Sequence, residues 1–209
     1  MMLARTGAAL VVADPPWSYS SGVPGHGRVA SHYDCLQMAD IVLHLSLAWD
    51  CAAPDAYLLL WVTFPLLKEW MDVSDQTPWK YKSGGAWAKD GLIGTGYHWR
   101  GQAEAALLYV KGKPKPCATI RSAAITRRSG GANPGNSGTT HSEKPLAWCV
   151  DHVRAFCPPD GYVMDLYAGM SPYARACHDT GRRYVGAEID PARHAAALGR
   201  LANHVSRAK

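Results

Sequence analysis

Tyr162-Val163-Met164-Asp165-Leu166-Tyr167-Ala168-Gly169 runs through Pro172–Thr180 into Arg183-Tyr184-Val185-Gly186-Ala187-Glu188-Ile189-Asp190, and this stretch decides the fold. Tyr162 to Leu166 is short and largely apolar, so it reads as a buried strand. Ala168-Gly169 is a small-residue turn, Pro172 to Thr180 a helix opened by proline, and Arg183 to Ala187 a second strand. Strand, helix and strand in that order make a βαβ unit of the kind that binds nucleosides. Glu188 stands 23 residues after Asp165. That is near the ~20-residue offset at which an acid at the second strand end accepts hydrogen bonds from ribose hydroxyls. The turn holds one glycine, where a pyrophosphate binder carries several spaced glycines that let backbone amides approach two phosphates. A phosphate-free nucleoside such as S-adenosylmethionine fits better, with Asp165, Tyr167, Gly169 and Glu188 at its site. Taken alone, the same residues also suit a plain glycine turn and a solvated strand end.

Upstream, Pro145 to Phe156 carries Leu146, Cys149, Val150 and Val153 three and four apart, which is a helix face, and Pro158-Pro159-Asp160-Gly161 then turns the chain. Downstream, Pro191 to His204 is an alanine-rich closing helix. At the other end of the chain Leu10-Val11-Val12-Ala13 reads as a buried strand stopped by Asp14-Pro15-Pro16. Gln37 to Trp49 follows as a helix with Ile41, Leu45 and Ala48 on one side, and Tyr57 to Val62 as another strand. Leu66, Trp70 and Val73 suit a helix, and Gly84–Ala88 and Ala103–Val110 two more strands. Ser18 to Gly27 is rich in Gly, Ser and Pro, and Ser129 to Thr140 reads as a mobile loop. The alternation predicts an α/β protein with a mostly parallel sheet, a single domain over 1–209 carrying a basic Gly/Ser-rich insertion at about 111–140.

Of 209 residues, 47% are apolar and 19% charged, the balance of a globular protein and not of a disordered one. The longest apolar stretch, Tyr57 to Val62, is far short of the ~20 residues that cross a bilayer, and no charged-then-apolar signal layout opens the chain. Both point to a cytoplasmic protein without a membrane segment. Six cysteines lie apart with no Cys-x-x-Cys pair, as small core residues do in a reducing compartment, and nine histidines are dispersed, so no metal is expected. The net charge of +5 is modest, but between Ala105 and Ser142 there is no acid, while Lys111, Lys113, Lys115, Arg121, Arg127 and Arg128 fall inside that window. This favours a polyanion, with Arg121, Arg127 and Arg128 beside a loop able to close over a phosphate backbone.

Asp14-Pro15-Pro16-Trp17 brings a carboxylate, two rigid residues and an indole to one strand end. The exocyclic amine of a nucleobase is a poor nucleophile because its lone pair is delocalised into the ring. If the Asp14 carboxylate and the Pro15 carbonyl accept the two amino hydrogens, the nitrogen can pyramidalise and aim that pair at an electrophilic methyl. Proline fixes the backbone so that its carbonyl needs no reorganisation. Trp17 and Tyr19 would stack on the base, which must leave a duplex to be reached.

These residues resemble the Asp-Pro-Pro-Trp family of N6-adenine methyltransferases. Leu58-Leu59-Leu60-Trp61-Val62-Thr63 is similar to the family's apolar strand ending in Trp-Val-Thr. Gly94-Thr95-Gly96-Tyr97 with Arg100 and Glu104 looks like its Gly-x-Gly-Tyr, Arg and Glu pattern, and His141-Ser142-Glu143-Lys144-Pro145 its His-Ser-x-Lys-Pro; Tyr33 to Met38 matches a further segment only in its tyrosine and place. The resemblance spans Val11 to Asp190. It implies a seven-stranded Rossmann-like methyltransferase sheet with one antiparallel strand, circularly permuted so that the catalytic motif precedes the cofactor motif. It further implies S-adenosylmethionine as cofactor, with Asp14 and Lys144 near its methionine end and Glu188 at its ribose, and catalysis by Asp14, Pro15, Pro16 and Trp17. Trp17, Tyr19, Tyr97 and Arg100 would touch the substrate. The wording of the Asp165–Gly169 and Gly186–Asp190 segments looks more like DNA methylases than mRNA ones and favours DNA. RNA adenine, the N4 amine of cytosine and a catalytically inactive nucleic-acid-binding subunit are the alternatives, and members of this permutation group often pair as homodimers.

Overall fold

The computed structural model describes residues 7–18, 35–90, 98–126 and 143–207. Its elements, in chain order, are β1 (Ala8–Ala13), α1 (Met38–Cys51), β2 (Ala52–Thr63), α2 (Leu67–Val73), β3 (Lys80–Lys89), β4 (Ala103–Lys111), β5 (Ala123–Thr126), α3 (Leu146–Phe156), β6 (Tyr162–Asp165), α4 (Pro172–Thr180), β7 (Arg183–Gly186) and α5 (Pro191–Arg207). The seven strands form one sheet in the order β5-β3-β4-β2-β1-β6-β7. β1 is parallel to both neighbours, β6 to β7 and β3 to β5, while β4 is antiparallel to β2 and β3. Six strands therefore point one way and β4 alone runs back, as the resemblance implied.

β1 is buried along its whole length because helices cover both faces of the sheet. Val11 and Ala13 face one layer with Ile41 and Leu45 of α1, Trp70 of α2 and Trp79. Leu10 and Val12 face the other, with Trp148, Cys149 and Val153 of α3 and Tyr173 and Ala176 of α4. This core is rich in tryptophan, and three of its buried indole N–H groups find acceptors, Trp70 donating to the Tyr109 hydroxyl at 2.7 Å, Trp79 to the Leu45 carbonyl at 2.8 Å and Trp61 to the Tyr173 hydroxyl at 3.2 Å, while that of Trp148 has none among the described residues.

The sheet changes direction at its centre. From β1 the chain moves through α1 to β2 on one side, whereas β6 and β7 lie on the other, so the carboxyl ends of β1 and β6 flank a crevice at a topological switch point. The reversal of β4 matters here, because it brings the start of that strand, Glu104 opposite Thr63, to the edge where β1, β2 and β3 end. Two elements differ from expectation. β2 begins at Ala52, earlier than its apolar run, and β5 is a four-residue edge strand that periodicity does not reveal. The loop expected at 129–140 lies outside the described residues.

Candidate active site

Asp14 leaves the end of β1 and meets a lysine from far along the chain: Lys144 Nζ lies 2.7 Å from Asp14 Oδ2 and 2.8 Å from Glu104 Oε2. Lys89, at the end of β3, pairs with the other Glu104 oxygen and stands 4.3 Å from the Trp87 ring centroid. The Lys144 side chain is 4% exposed, with its ammonium 4.8 Å from the Trp61 ring centroid, and the Asp14 side chain keeps 36% of its surface open. Asp14 is thus the outer member of a buried chain of alternating charge. Burial pushes its carboxyl above the ordinary value, with Lys144 pulling the other way and Glu104 adding to the rise. Burial alone would lower the Lys144 pKa, but the two carboxylates outweigh it and hold the ammonium well above its usual range. Burial would likewise raise Glu104, and Lys144 and Lys89 overcome it and keep that carboxyl low. Lys144, expected at the methionine end of a cofactor, has its ammonium committed to these two carboxylates.

The segment that presents Lys144 is itself anchored. Glu143, with a side chain 7% exposed, is gripped by Arg175 of α4 and by Arg200 of α5, the latter at 2.8 Å. Sequence reading passed over this glutamate, because nothing in its neighbourhood signals two arginines arriving from later helices.

The second half of the crevice is built by β6, β7 and the turn between β6 and α4. Asp165 is 3% exposed; its carboxylate accepts from the Tyr184 hydroxyl at 3.1 Å and the Tyr167 amide at 3.3 Å. Burial, opposed by these hydrogen bonds, pushes its pKa up to about 7. Gly169 takes φ +53°, and a Cβ there would meet open space. Ser171, two residues on, also sits in the left-handed region at φ 54°, strain of the sort that accumulates beside functional sites. Glu188 Oε2 accepts the Gly169 amide at 2.8 Å and Oε1 the Asp190 amide at 3.0 Å. These bonds fix the carboxylate in place and still leave Oε2 a lone pair for a hydroxyl. The Tyr167 hydroxyl bonds to His44 Nδ1 at 2.7 Å.

The remaining expected residues divide. Trp17 is a core residue: it is 5% exposed, donates its indole N–H to the Trp61 carbonyl at 3.1 Å and packs edge-on to Trp70. A ring held on all sides cannot stack on a base, so that part of the expectation is corrected. Pro16 gives its carbonyl to the Leu36 amide at 2.9 Å, while the Pro15 carbonyl takes no backbone partner among the described residues. Arg100 is exposed just outside the start of β4. Arg121 is exposed two residues before β5, whose last residue Thr126 pairs with Lys89. Five residues of extended chain, roughly 17 Å, therefore separate Arg121 from the carboxyl edge. Lys111, Lys113 and Lys115 lie at and beyond the far end of β4, on the opposite edge. Tyr19, Tyr97, Arg127 and Arg128 lie outside the described residues. Two aromatics that sequence reading did not single out are open at the carboxyl edge: Trp99, 89% exposed beside Arg100, and Phe64, 49% exposed after β2.

The donor set suits a nucleoside that carries positive charge. Asp14, Asp165 and Glu188 surround the crevice with carboxylates, the cations beside them, Lys144 at Asp14 and Arg193 at Glu188, are already paired, and the Gly169 amide at the turn, where a phosphate would need a free donor, is bonded to Glu188. A crevice of this kind, where a largely parallel sheet reverses its strand order, defines a nucleoside-dependent α/β enzyme. The chain belongs to the DNA methylase family of N6 and N4 methyltransferases, whose profile matches residues 8–198. No curated protein is similar enough to count as a match. Among solved structures the chain resembles the M1.HpyAVI–SAM complex at 16% identity, covering 93% of this chain and 89% of that one with a TM-score of 0.68. The cytosine-N4-specific PvuII DNA methyltransferase follows at 12% identity, 97% and 86% coverage and TM-score 0.66. A putative DNA modification methylase of Thermus thermophilus, complexed with S-adenosyl-L-methionine, matches at 18% identity, 97% and 90% coverage and TM-score 0.65. These likenesses establish the fold.

Proposed function

We propose that the chain is an S-adenosylmethionine-dependent N6-adenine methyltransferase acting on DNA. The observation that carries this reading is the pairing of Asp14 with the buried Lys144–Glu104–Lys89 chain at the end of the central strand, beside a carboxylate-lined nucleoside crevice. Bound in that crevice, S-adenosylmethionine supplies an electrophilic methyl. The protein's part is then orientation and acceptance of hydrogens. Lys144 holds Asp14 in one rotamer through Oδ2, acting through Asp14 and not on the cofactor. Asp14 and the Pro15 carbonyl accept the two amino hydrogens of the base. The raised carboxyl pKa of Asp14 makes it the better proton acceptor as the amine loses a hydrogen. Holding amine and methyl in line contributes ~7 to 11 kcal/mol in well-oriented systems. Glu188 and Asp165 bind the nucleoside, Trp99 and Phe64 replace Trp17 as the aromatic surface offered to a flipped base, and Arg100 faces the substrate backbone.

The chain order, with β1 before β6 and β7, supports the permuted arrangement. Leu43 and Leu47, one turn apart on α1 and 55% and 56% exposed, are the apolar surface a second copy would cover in a homodimer. No described helix is long and apolar enough to cross a membrane, and a cytoplasmic location completes the reading. Incubating the protein with S-adenosylmethionine and DNA, digesting to nucleosides and identifying the product by mass spectrometry tests it. N6-methyladenosine in its deoxy form is expected; N4-methylcytosine would transfer the site to the second reading, which the cytosine-specific structural relative favours.

A further inference from the structure

Lys111-Gly112-Lys113-Pro114-Lys115 opens the acid-free window, and β4 carries it away from Asp14. Glu104 pairs with Thr63 at one end of β4 and Lys111 with Ala56 at the other. At ~3.3 Å per residue the two ends stand roughly 23 Å apart. A base held at Asp14 keeps its own phosphates far from these lysines.

Lys111 turns inward, donating to the carbonyls of Trp49 at 2.6 Å and Ala52 at 3.0 Å. Gly112 then bends the chain at φ +62°, where a Cβ would collide with the Pro54 carbonyl and the Asp55 carboxylate, and Asp55 accepts the Lys113 amide at 2.8 Å. The turn is thereby fixed and sends Lys113 and Lys115 outward. Lys80 and Lys82, exposed at the start of β3, stand beside them, since Lys80 pairs with Val110 at the end of β4. All four lysines line one concavity of about 770 Å³, walled by Trp49 and by Tyr81, which is 47% exposed, and no aspartate or glutamate shares the lining. Asp55 meets Lys113 only through the backbone amide, and none of the four ammonium groups is ion-paired with a carboxylate among the described residues. Four ammonium groups around an apolar floor repel one another unless an anion sits between them, and lysines interleaved with aromatics suit a phosphate backbone with its bases.

We propose that this concavity is a second nucleic-acid site, holding the backbone of a segment other than the one whose base reaches Asp14. It rests on the DNA methyltransferase reading only for the nature of the polyanion. The whole chain is compared with K80A/K82A/K113A/K115A, whose fold is checked by circular dichroism, and with the milder K113Q/K115Q in case four exchanges disturb folding. Binding of labelled duplex and single-stranded oligonucleotides is followed by fluorescence anisotropy across a salt series. The fourfold variant should flatten the log–log salt slope by up to about 3.6 for duplex or about 2.8 for single strands, at about 0.9 and 0.7 for each phosphate no longer neutralised, and the twofold variant by about half as much. Whichever strand form shows the larger change is the one the site prefers. Equal slopes in wild type and both variants overturn the proposal while leaving the enzyme reading intact. Failure of the wild type to bind either oligonucleotide overturns both. Phosphatidylglycerol vesicles that bind the wild type but not the variants, with oligonucleotide slopes unchanged, would assign the surface to a membrane and overturn it as well.

Discussion

Asp14 is the residue on which the chemistry turns, and its two obvious replacements separate charge from shape. Asp14→Asn keeps the size but presents an NH₂ donor where an acceptor is needed, and it strands Lys144 against one carboxylate; Asp14→Ala removes the acceptor outright. Both should lower methyl transfer by at least ~10²-fold, the scale on which single preorganised electrostatic contacts count, with normal circular dichroism. Appreciable turnover by both in a labelled-methyl assay would remove Asp14 from the mechanism. Asp165 gives a pH signature. Its carboxyl, pushed up to about 7 by burial, is half protonated near neutrality, and an ionised carboxylate attracts a cationic nucleoside better than a neutral acid does. S-adenosylmethionine affinity measured by calorimetry should therefore rise between pH 6 and pH 8, and Asp165→Asn should weaken binding and abolish that rise. Glu188→Ala should also weaken it, a charged acceptor being worth ~1.5 to 3 kcal/mol; unchanged affinity would leave Glu188 as a cap of the Gly169 and Asp190 amides. The motif Asp14-Pro15-Pro16-Trp17 was legible in the sequence, but its tryptophan was not: whether an indole after a strand end faces in or out depends on Trp61 and Trp70, which arrive from elsewhere.

Helices and strands with a strong period were readable, and those whose existence depends on a neighbour were not. Leu10 to Ala13 and Tyr57 to Val62 announce themselves as apolar runs, whereas β5 is a strand only because β3 offers it an edge, and its Ile125 stays 71% exposed. The adjacent His178 and Asp179 meet His204, 25 residues on from Asp179, where α4 and α5 end, His204 Nε2 lying 2.6 Å from Asp179 Oδ1, and this clasp likewise has no local signal. Packing between α3 and α4 yields a stability prediction. His152 is sealed among Trp148, Phe156 and Tyr173, its Nδ1 3.1 Å from the Tyr173 hydroxyl, and burial pushes its pKa down to about 3. A depressed folded pKa contributes stability above the ordinary value of 6.5 that is lost as pH falls toward 3. Asp165, with its raised pKa, contributes in the opposite sense, its share being full below 3.8 and lost as pH rises through about 7. The wild-type profile alone is thus a sum of opposed slopes, and the informative quantity is a difference. His152→Gln, which keeps a partner for Tyr173, should remove about 3 kcal/mol of the loss between pH 6.5 and pH 4 in urea titrations. Parallel profiles would mean that His152 is protonated in the folded state.

At the scale of the molecule the sheet has two unlike edges. The carboxyl edge carries Asp14, Glu104, Asp165 and Glu188, and the amino edge four lysines whose ammonium groups pair with no carboxylate among the described residues. A basic window that reads as one feature in the sequence begins at the amino edge with Lys111, Lys113 and Lys115, because β4 runs against the rest of the sheet and its far end leaves the active site. Arg121, exposed two residues before the outer strand β5, belongs to neither edge. Replacing Arg121, Arg127 and Arg128 with alanine should flatten the salt dependence of DNA binding by up to about one log–log unit for each phosphate no longer neutralised and spare S-adenosylmethionine affinity. An unchanged slope would mean that the substrate track passes elsewhere.

The central position of β1 also sets a timetable for synthesis. Of the seven strands, the one made first lies in the middle of the sheet, between β2 and β6, and the aspartate at its end waits for a lysine about 130 residues later. At roughly 5 to 20 residues per second, β6 leaves the ribosome about 8 to 30 s after β1. Until then one edge of β1 is a bare apolar strand, and until Lys144 emerges shortly before β6 Asp14 lacks the lysine that pairs with it. Nascent chains arrested before β6 should consequently be inactive and prone to chaperone capture, and catalytic competence should arrive in one step once β6, α4 and β7 have joined the sheet.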